Sequence, residues 1–366
     1  ITLSVCHYDR RWLKHFKTNN IGSSSHMRVL SRTASLPADG CFHHWSKSSM
    51  APLIPRKRPT CPVCTKPVHF CLCTRFLHPC VDNKIVVTIL QHRLEVKHPL
   101  NSAKIAKLGL KNVSLHPVSD VSLDAWIRIR LNEPSHVSCV QEKEGRQVPQ
   151  CCTAGGHEQE SDRTESDSVK MHPRDVIAGV IGKYGEIKML ESVWMASKGK
   201  SFDEILASSA AIEALKEGFV VERLQKCNEA EATWQAQEKF ELAVPPGTVL
   251  LFPSDKAVTV SDMAEGDFQV RNLIVLDATW AKAKRIFKEN PWLELLPHLK
   301  LEHDGVSLYS EVRRQPKAGY LSTIESIIYA MKALEERHPG LDNLLDVFDS
   351  MIADQRRCRD EKMKKV

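Results

Sequence analysis

The feature that most constrains this chain is the step at residues 273–289, where an apolar run gives way to an acid and then to a basic helix. Leu273, Ile274, Val275 and Leu276 have the length and branched composition of a buried strand. Asp277-Ala278-Thr279-Trp280 follows at once, and residues 281–289, AKAKRIFKE, read as helix. A buried strand running straight into a helix belongs to an α/β fold. An acid at the carboxyl end of such a strand stands where those folds place their ligand crevice. At about 100° per residue, Ile286, Ala283, Phe287 and Trp280 fall between about 40° and 160° from Lys282. The cations Lys282, Lys284, Arg285 and Lys288 take the opposite side, so the helix has an apolar face and a basic face. Core packing and ligand contact compete to explain Trp280. Asp277 and Thr279 compete for the helix N-cap.

Other elements alternate around this step. Residues 85–90 are β-branched and read as a strand. A polar loop, 91–99, leads to a helix over about 102–108 with Gly109 as its stop. Residues 118–130 carry mixed strand and helix signals, and 203–239 read as helical. Residues 248–252 form another buried strand, ended by Pro253. A helix is expected from Ser322 to about 337 and another over about 341–356, before a basic tail at 357–366. No internal repeat is present. Strand, loop and helix in this order predict an α/β sheet with flanking helices. Residues 140–170 are charged, rich in Gly and Ser and nearly free of large apolar groups, which predicts a disordered insertion within the main domain, 81–356.

Composition sets outer bounds. The net charge of +6 permits a polyanionic partner without demanding one. No stretch approaches the ~18 apolar residues of a membrane span. Residues 1–60 hold two acids, Asp9 and Asp39, against ten lysines and arginines. Residues 1–55 read as a poorly ordered extension, and an organellar transit peptide within 1–50 stays open.

Four of the twelve cysteines, Cys61, Cys64, Cys71 and Cys73, crowd into thirteen residues of a small module over 56–80. Such crowding in a long chain favours metal ligation over a disulfide framework and predicts a reducing compartment. Four thiolates suit one tetrahedral zinc ion with a structural role. His69 and Cys80 are spare ligands.

Three further segments carry chemistry. In Gln91-His92-Arg93-Leu94-Glu95-Val96-Lys97-His98-Pro99-Leu100-Asn101-Ser102-Ala103, Asn101 or Ser102 caps the next helix, while two histidines exceed what a turn requires. Pro253-Ser254-Asp255-Lys256-Ala257 is a small-residue turn after a strand. Ser322 and Glu325 form a capping box, and the helix entry they make is also suited to a carboxylate.

Together these segments resemble the DTW-domain family over residues 61–110 and 248–330. The family shows a similar cysteine quartet, a Gln-His and Pro-x-Asn-Thr-Ala segment in which Ser102 here replaces the Thr, the Asp-x-Thr-Trp step, and an Arg-x-x-Pro then Leu-Ser-Thr-Ile-Glu run. The resemblance implies a SPOUT-related fold and a tRNA-uridine aminocarboxypropyltransferase using S-adenosylmethionine. The 3-amino-3-carboxypropyl group would pass to uridine N3, leaving 5′-methylthioadenosine. It implies catalytic roles for Asp277, Thr279 and Trp280, and cofactor contacts from Pro253, Ser254, Leu321, Ser322, Thr323 and Glu325. RNA contacts would come from Lys282, Lys284, Arg285, Lys288 and Arg313. The expected partner is tRNA, with no membrane and no obligate protein partner, in the cytoplasm or nucleus. Two alternatives remain, a SPOUT-like RNA methyltransferase and a non-catalytic zinc-ribbon RNA-binding protein.

Overall fold

Eleven strands among the described residues build two sheets. A computed structural model describes residues 59–77, 79–132, 174–226, 237–264, 268–303, 305–312, 320–334 and 337–364. The extension at 1–55, the insertion at 140–170 and Arg313 lie outside the described residues.

In chain order the strands are β1 (Val86–His92), β2 (Val113–Val118), β3 (Asp124–Leu131), β4 (Asp175–Gly182), β5 (Ile187–Ser192), β6 (Phe219–Lys226), β7 (Gln237–Val244), β8 (Thr248–Leu251), β9 (Val258–Thr259), β10 (Asn272–Asp277) and β11 (His298–Lys300). A parallel sheet has the order β2-β1-β10-β8-β11-β9, and an antiparallel sheet the order β5-β4-β3-β6-β7. The antiparallel sheet is thus inserted in sequence between the second and third strands of the parallel one. β10 follows β8 and β9 in the chain yet enters between β1 and β8, and β11 enters between β8 and β9.

The helices are α1 (Ala103–Gly109), α2 (Asp203–Ala207), α3 (Ser209–Lys216), α4 (Val260–Ala264), α5 (Trp280–Lys288), α6 (Thr323–Ala333) and α7 (Gly340–Met363). Both faces of the parallel sheet are covered, which explains why its strands are continuously apolar rather than alternating. Val87 and Ile89 of β1, Val249 of β8, and Leu273 and Val275 of β10 pack with α1, α6 and α7. Their neighbours Leu90, Leu250 and Ile274 point the other way, into a second core shared with α5 and the antiparallel sheet. Each such side chain contributes about 1.5–3 kcal/mol by leaving water. None of the helices among the described residues is long and apolar enough to cross a membrane.

Two expectations are corrected. The helical reading of 203–239 holds only to Lys216. Gly218, at φ +89°, turns the chain so tightly that a Cβ there would lie 2.8 Å from the Val244 carbonyl oxygen. The chain then runs on as β6 and β7, where Phe219, Val221, Arg223 and Gln225 alternate into the interior with period two. The helix expected over about 341–356 instead continues to Met363, taking in most of the stretch read as a basic tail. Arg359, in this added part, donates to the Glu311 carbonyl at 3.4 Å.

Candidate active site

β1 and β10 lie side by side in parallel, with Gln91 in register with Asp277 at their carboxyl ends. Both side chains are buried, Asp277 at 6% exposure. Gln91 Nε2 donates to Asp277 Oδ2 at 2.6 Å and to Asn101 Oδ1 at 3.3 Å. Thr323 Oγ1, in the first turn of α6, donates to Asp277 Oδ1 at 2.5 Å. One carboxylate therefore joins three segments far apart in sequence: the end of β1, the end of β10 and the entry to α6. Asn101 is fixed in turn by donating from Nδ2 to the Glu95 carbonyl at 3.0 Å, and its Oδ1 accepts from Lys104 N at 3.3 Å. Of the two cap candidates for α1, Asn101 takes the role.

Thr279 caps α5, its hydroxyl accepting from Lys282 N at 3.4 Å. Asp277 is thereby released from capping. Trp280, half-buried on the apolar side of α5, lies against Tyr320 with ring centroids 4.3 Å apart. At the entry to α6 the capping box is present as expected. Glu325 is 1% exposed and accepts from Ser307 Oγ at 2.6 Å, Leu308 N at 2.9 Å and Ser322 N at 2.8 Å. The side chains of Ser322 and Glu325 are thus committed to the helix start and to the segment that packs on it. Leu321 and Thr323 stand at the same entry.

Because β8 pairs with β10, the loop that follows β8 adjoins the end of β10 as well. Pro253 ends the strand. Ser254 Oγ donates to His298 Nδ1 at 2.5 Å while His298 Nε2 donates to the Leu293 carbonyl at 2.8 Å. Burial pushes the His298 imidazole down to about 4, so the ring is neutral and serves as a post that holds the Ser254 turn. What this loop can offer a ligand is backbone, not the Ser254 hydroxyl.

The two histidines of the 91–99 loop have local duties. His92 Nδ1 accepts from Leu94 N and His98 Nδ1 from Leu100 N, each at 3.2 Å. His92 Nε2 then donates to Asp120 Oδ1 at 3.1 Å. Asp120 also holds Lys282, and Arg285 at 3.1 Å. Burial pushes the Asp120 carboxyl up, but hydrogen bonds from Lys282 and His92 and the charge of Arg285 outweigh it and hold the group below the ordinary carboxylate value. Arg285 further pairs with the buried Glu289 at 2.6 Å and donates to the Val121 carbonyl at 2.8 Å. The basic face of α5 is therefore divided. Lys282 and Arg285 brace the protein's own acids, and Lys284 and Lys288 are exposed.

The cysteine module sits against the same loop. Lys66 Nζ donates to the Pro99 carbonyl at 2.5 Å, and Arg75 reaches Ser350 at 3.0 Å and Asp354 at 2.5 Å on α7. The four sulfurs of Cys61, Cys64, Cys71 and Cys73 lie within 4.8 Å of one another, with Cys61–Cys73 at 3.9 Å and Cys64–Cys71 at 3.8 Å. A tetrahedron of sulfurs about zinc at ~2.3 Å has edges of ~3.8 Å, so the donor set fits. Burial opposes ionisation of Cys64, yet backbone N–H groups of Leu72 and Lys66 bring its thiol down to about 6. Burial and the neighbouring thiols push Cys73 up to about 12. A bound metal ion would ionise all four thiols.

A model of the DTW domain matches residues 58–356. The chain belongs to the DTW domain family. Over 94 residues it is 37% identical to tRNA-uridine aminocarboxypropyltransferase 2 of Drosophila melanogaster, a match covering 25% of this chain and 36% of that relative. Over 110 residues it is 28% identical to the protein of the same name from Mus musculus, covering 30% of this chain and 37% of the relative. The chain thus matches little more than a third of the length of these curated relatives. No solved structure matches it. Within this DTW domain, sequence reading placed Gln91 in a loop favoured as pocket lining without singling it out, and did not name Asp120 or Tyr320. The structure joins these three to Asp277, His92 and Trp280 respectively. Gln91 had a signal: both central strands end on a polar side chain after an apolar run, and adjacent parallel strands bring such ends together.

Proposed function

We propose that this DTW domain transfers the 3-amino-3-carboxypropyl group of S-adenosylmethionine to N3 of a uridine in tRNA, releasing 5′-methylthioadenosine. The observation that carries the reading is the Asp277 carboxylate, which ties the Gln91 segment, the Asp-x-Thr-Trp step and the Leu-Ser-Thr-Ile-Glu helix into one place. The names of the two relatives support the chemistry. A parallel sheet with β10 and β11 inserted between earlier strands supports a SPOUT-related fold.

S-adenosylmethionine supplies a sulfonium that already activates the carbons attached to it. What remains for the protein is to orient the γ-carbon toward uridine and to handle the N3 proton. The entry to α6, at Leu321, Ser322 and Thr323, presents the positive end of a helix to a carboxylate. The backbone of the loop at Pro253 and Ser254 adjoins it across the end of β10. Trp280 and Tyr320 offer flat apolar rings beside Asp277 for a base. The Asp277 carboxylate is held in place by hydrogen bonds from Gln91 and Thr323. The fixed carboxylate orients the N3–H and supplies negative charge where the sulfonium reacts. As the N3–carbon bond forms and the carbon–sulfur bond breaks, 5′-methylthioadenosine leaves and the N3 proton passes to solvent. The cysteine quartet would hold zinc in a structural role, bracing the loop at Pro99 and α7. Lys284 and Lys288 are the α5 cations left for tRNA phosphates, and a tRNA substrate is consistent with the cytoplasm or nucleus, with an organelle still open.

The test is incubation of the protein with unmodified tRNA and S-adenosylmethionine labelled in the aminocarboxypropyl group. Labelled tRNA and 5′-methylthioadenosine are expected. S-adenosylhomocysteine as the small product would make it a methyltransferase, and tRNA binding without any mass gain would make it a non-catalytic binder.

A further inference from the structure

The hairpin turn between β4 and β5, Lys183–Gly185, holds a bulky residue in a conformation that glycine adopts far more readily. Tyr184 lies at φ 64°, ψ 17°, in the left-handed region. The residue is 61% exposed, so core packing does not account for tyrosine at this position. The turn is nonetheless clamped. Tyr184 N donates at 2.9 Å to Oε1 of the buried Glu289, which also accepts from Val121 N at 2.7 Å and from Arg285. Gly185, at φ +83°, is pressed so closely on the last turn of α5 that a Cβ would fall 2.3 Å from the Lys288 carbonyl oxygen.

The clamp presents the ring on the basic side of α5. The Arg285 guanidinium lies over it at 4.7 Å from the centroid and fixes its tilt. The Lys183 ammonium stands 5.3 Å from the same centroid, on an exposed, flexible side chain. Lys284 and Lys288 are exposed on the adjoining helix. The acids around the turn are Glu289, buried and paired with Arg285, Asp124, which lies opposite Gly182 on β3 and 2.7 Å from Lys188, and Glu186, whose charge also acts on Lys188. An exposed aromatic ring held rigidly among cations is how proteins receive an unstacked nucleotide: the base lies on the ring and the flanking phosphates meet the cations.

We propose that Tyr184 is a base-stacking platform for an unpaired nucleotide of the RNA substrate, with Lys183, Lys284 and Lys288 on the adjoining phosphates. This rests on the tRNA reading above and adds the surface by which the RNA is held outside the reaction site. The strain at Tyr184 sets up an experiment with opposite signs. Tyr184→Gly relieves the backbone, so the protein folds and its thermal midpoint is retained or raised. Its affinity for unmodified tRNA, measured on the full chain, should nevertheless fall by roughly 5- to 150-fold, the range for one stacked base. The salt dependence of binding should keep its slope, because no phosphate contact is lost. Tyr184→Phe keeps the ring and should bind close to the parent. Lys284→Gln with Lys288→Gln should instead make the slope shallower by about 0.7–0.9 per contact. A Tyr184→Gly protein that binds tRNA like the parent overturns the platform and leaves the tRNA reading standing. A parent protein without salt-dependent affinity for tRNA overturns the tRNA reading itself.

Discussion

Asp277→Asn separates the bracing role of the central carboxylate from its charge. In the folded protein Oδ2 accepts from Gln91 Nε2 at 2.6 Å and Oδ1 from Thr323 Oγ1 at 2.5 Å. Gln91 is locked in its orientation because it also donates to Asn101, whose own amide is fixed by the Glu95 carbonyl. Asparagine at 277 must therefore keep its oxygen toward Gln91 and turn its Nδ2 toward Thr323. The Thr323 hydroxyl can rotate to accept, so both of these hydrogen bonds survive in neutral form. Two hydrogen bonds to a charged acceptor become neutral ones, each weaker by about 1 kcal/mol. Relief from burying a charge offsets part of that. The net cost is about 1–2 kcal/mol, or a fall of roughly 2–8 °C in thermal midpoint. Asp277→Ala leaves Gln91 and Thr323 without this acceptor and should cost about 3–5 kcal/mol. Turnover tells the roles apart. With the charge gone but the brace kept, transfer to tRNA should slow by about 10²–10³-fold, as for loss of one preorganised electrostatic group. Single-turnover kinetics on unmodified tRNA, beside a melting curve, measure both quantities. Near-parental turnover in Asp277→Asn would refute the electrostatic role and leave the carboxylate as a strut.

Further outcomes follow from other parts of the site. Protein purified without chelator should carry about one zinc per chain, and Cys64→Ser should lose the metal and melt at lower temperature; metal analysis finding none would remove the zinc reading. Glu325→Gln turns an amide toward the Leu308 or Ser322 N–H and should destabilise by about 2 kcal/mol, against about 1 kcal/mol for Ser322→Ala; equal and negligible losses in urea melts would contradict the capping network. His298 has a folded pKa of about 4, below the ordinary 6.5. The unfolded chain gains a proton there as pH falls while the folded one stays neutral, so stability should drop between about 6.5 and 4 and then level off. His298→Asn should flatten that acid limb; an unchanged limb would clear His298 of responsibility.

The parallel sheet could be read from sequence because its strands are buried on both faces, which leaves continuous β-branched runs that no helix period imitates. The antiparallel sheet could not. β6 reads Phe219-Val220-Val221-Glu222-Arg223-Leu224-Gln225, and its buried face carries an arginine and a glutamine where a strand pattern calls for apolar residues. Arg223 is 1% exposed because partners distant in sequence satisfy it: Nη1 donates to Asn290 Oδ1 at 3.1 Å and Nη2 to the Ser119 carbonyl at 3.1 Å. No local pattern announces those acceptors, so the segment looked like the polar flank of a helix.

The same physics explains which site residues were visible. Caps and turns are local: Ser322 and Glu325 could be named from their spacing alone, and the cap of α5 could be narrowed to Asp277 or Thr279. The charge of a helix face is local too, but its use is not. Lys282 and Arg285 looked equivalent to Lys284 and Lys288 until Asp120, at the end of β2, claimed the first two. That division bears on how an RNA would be held. Cations already paired with the protein's own acids stiffen the frame around Asp277 and do little to set the salt dependence of binding. The exposed pair, with Lys183 beside the Tyr184 ring, can set it without disturbing the reaction site. Substituting Lys282 should therefore lower stability and leave the salt slope nearly intact, whereas substituting Lys284 should do the reverse; paired melting and binding measurements on the two single variants decide whether the face is divided in this way.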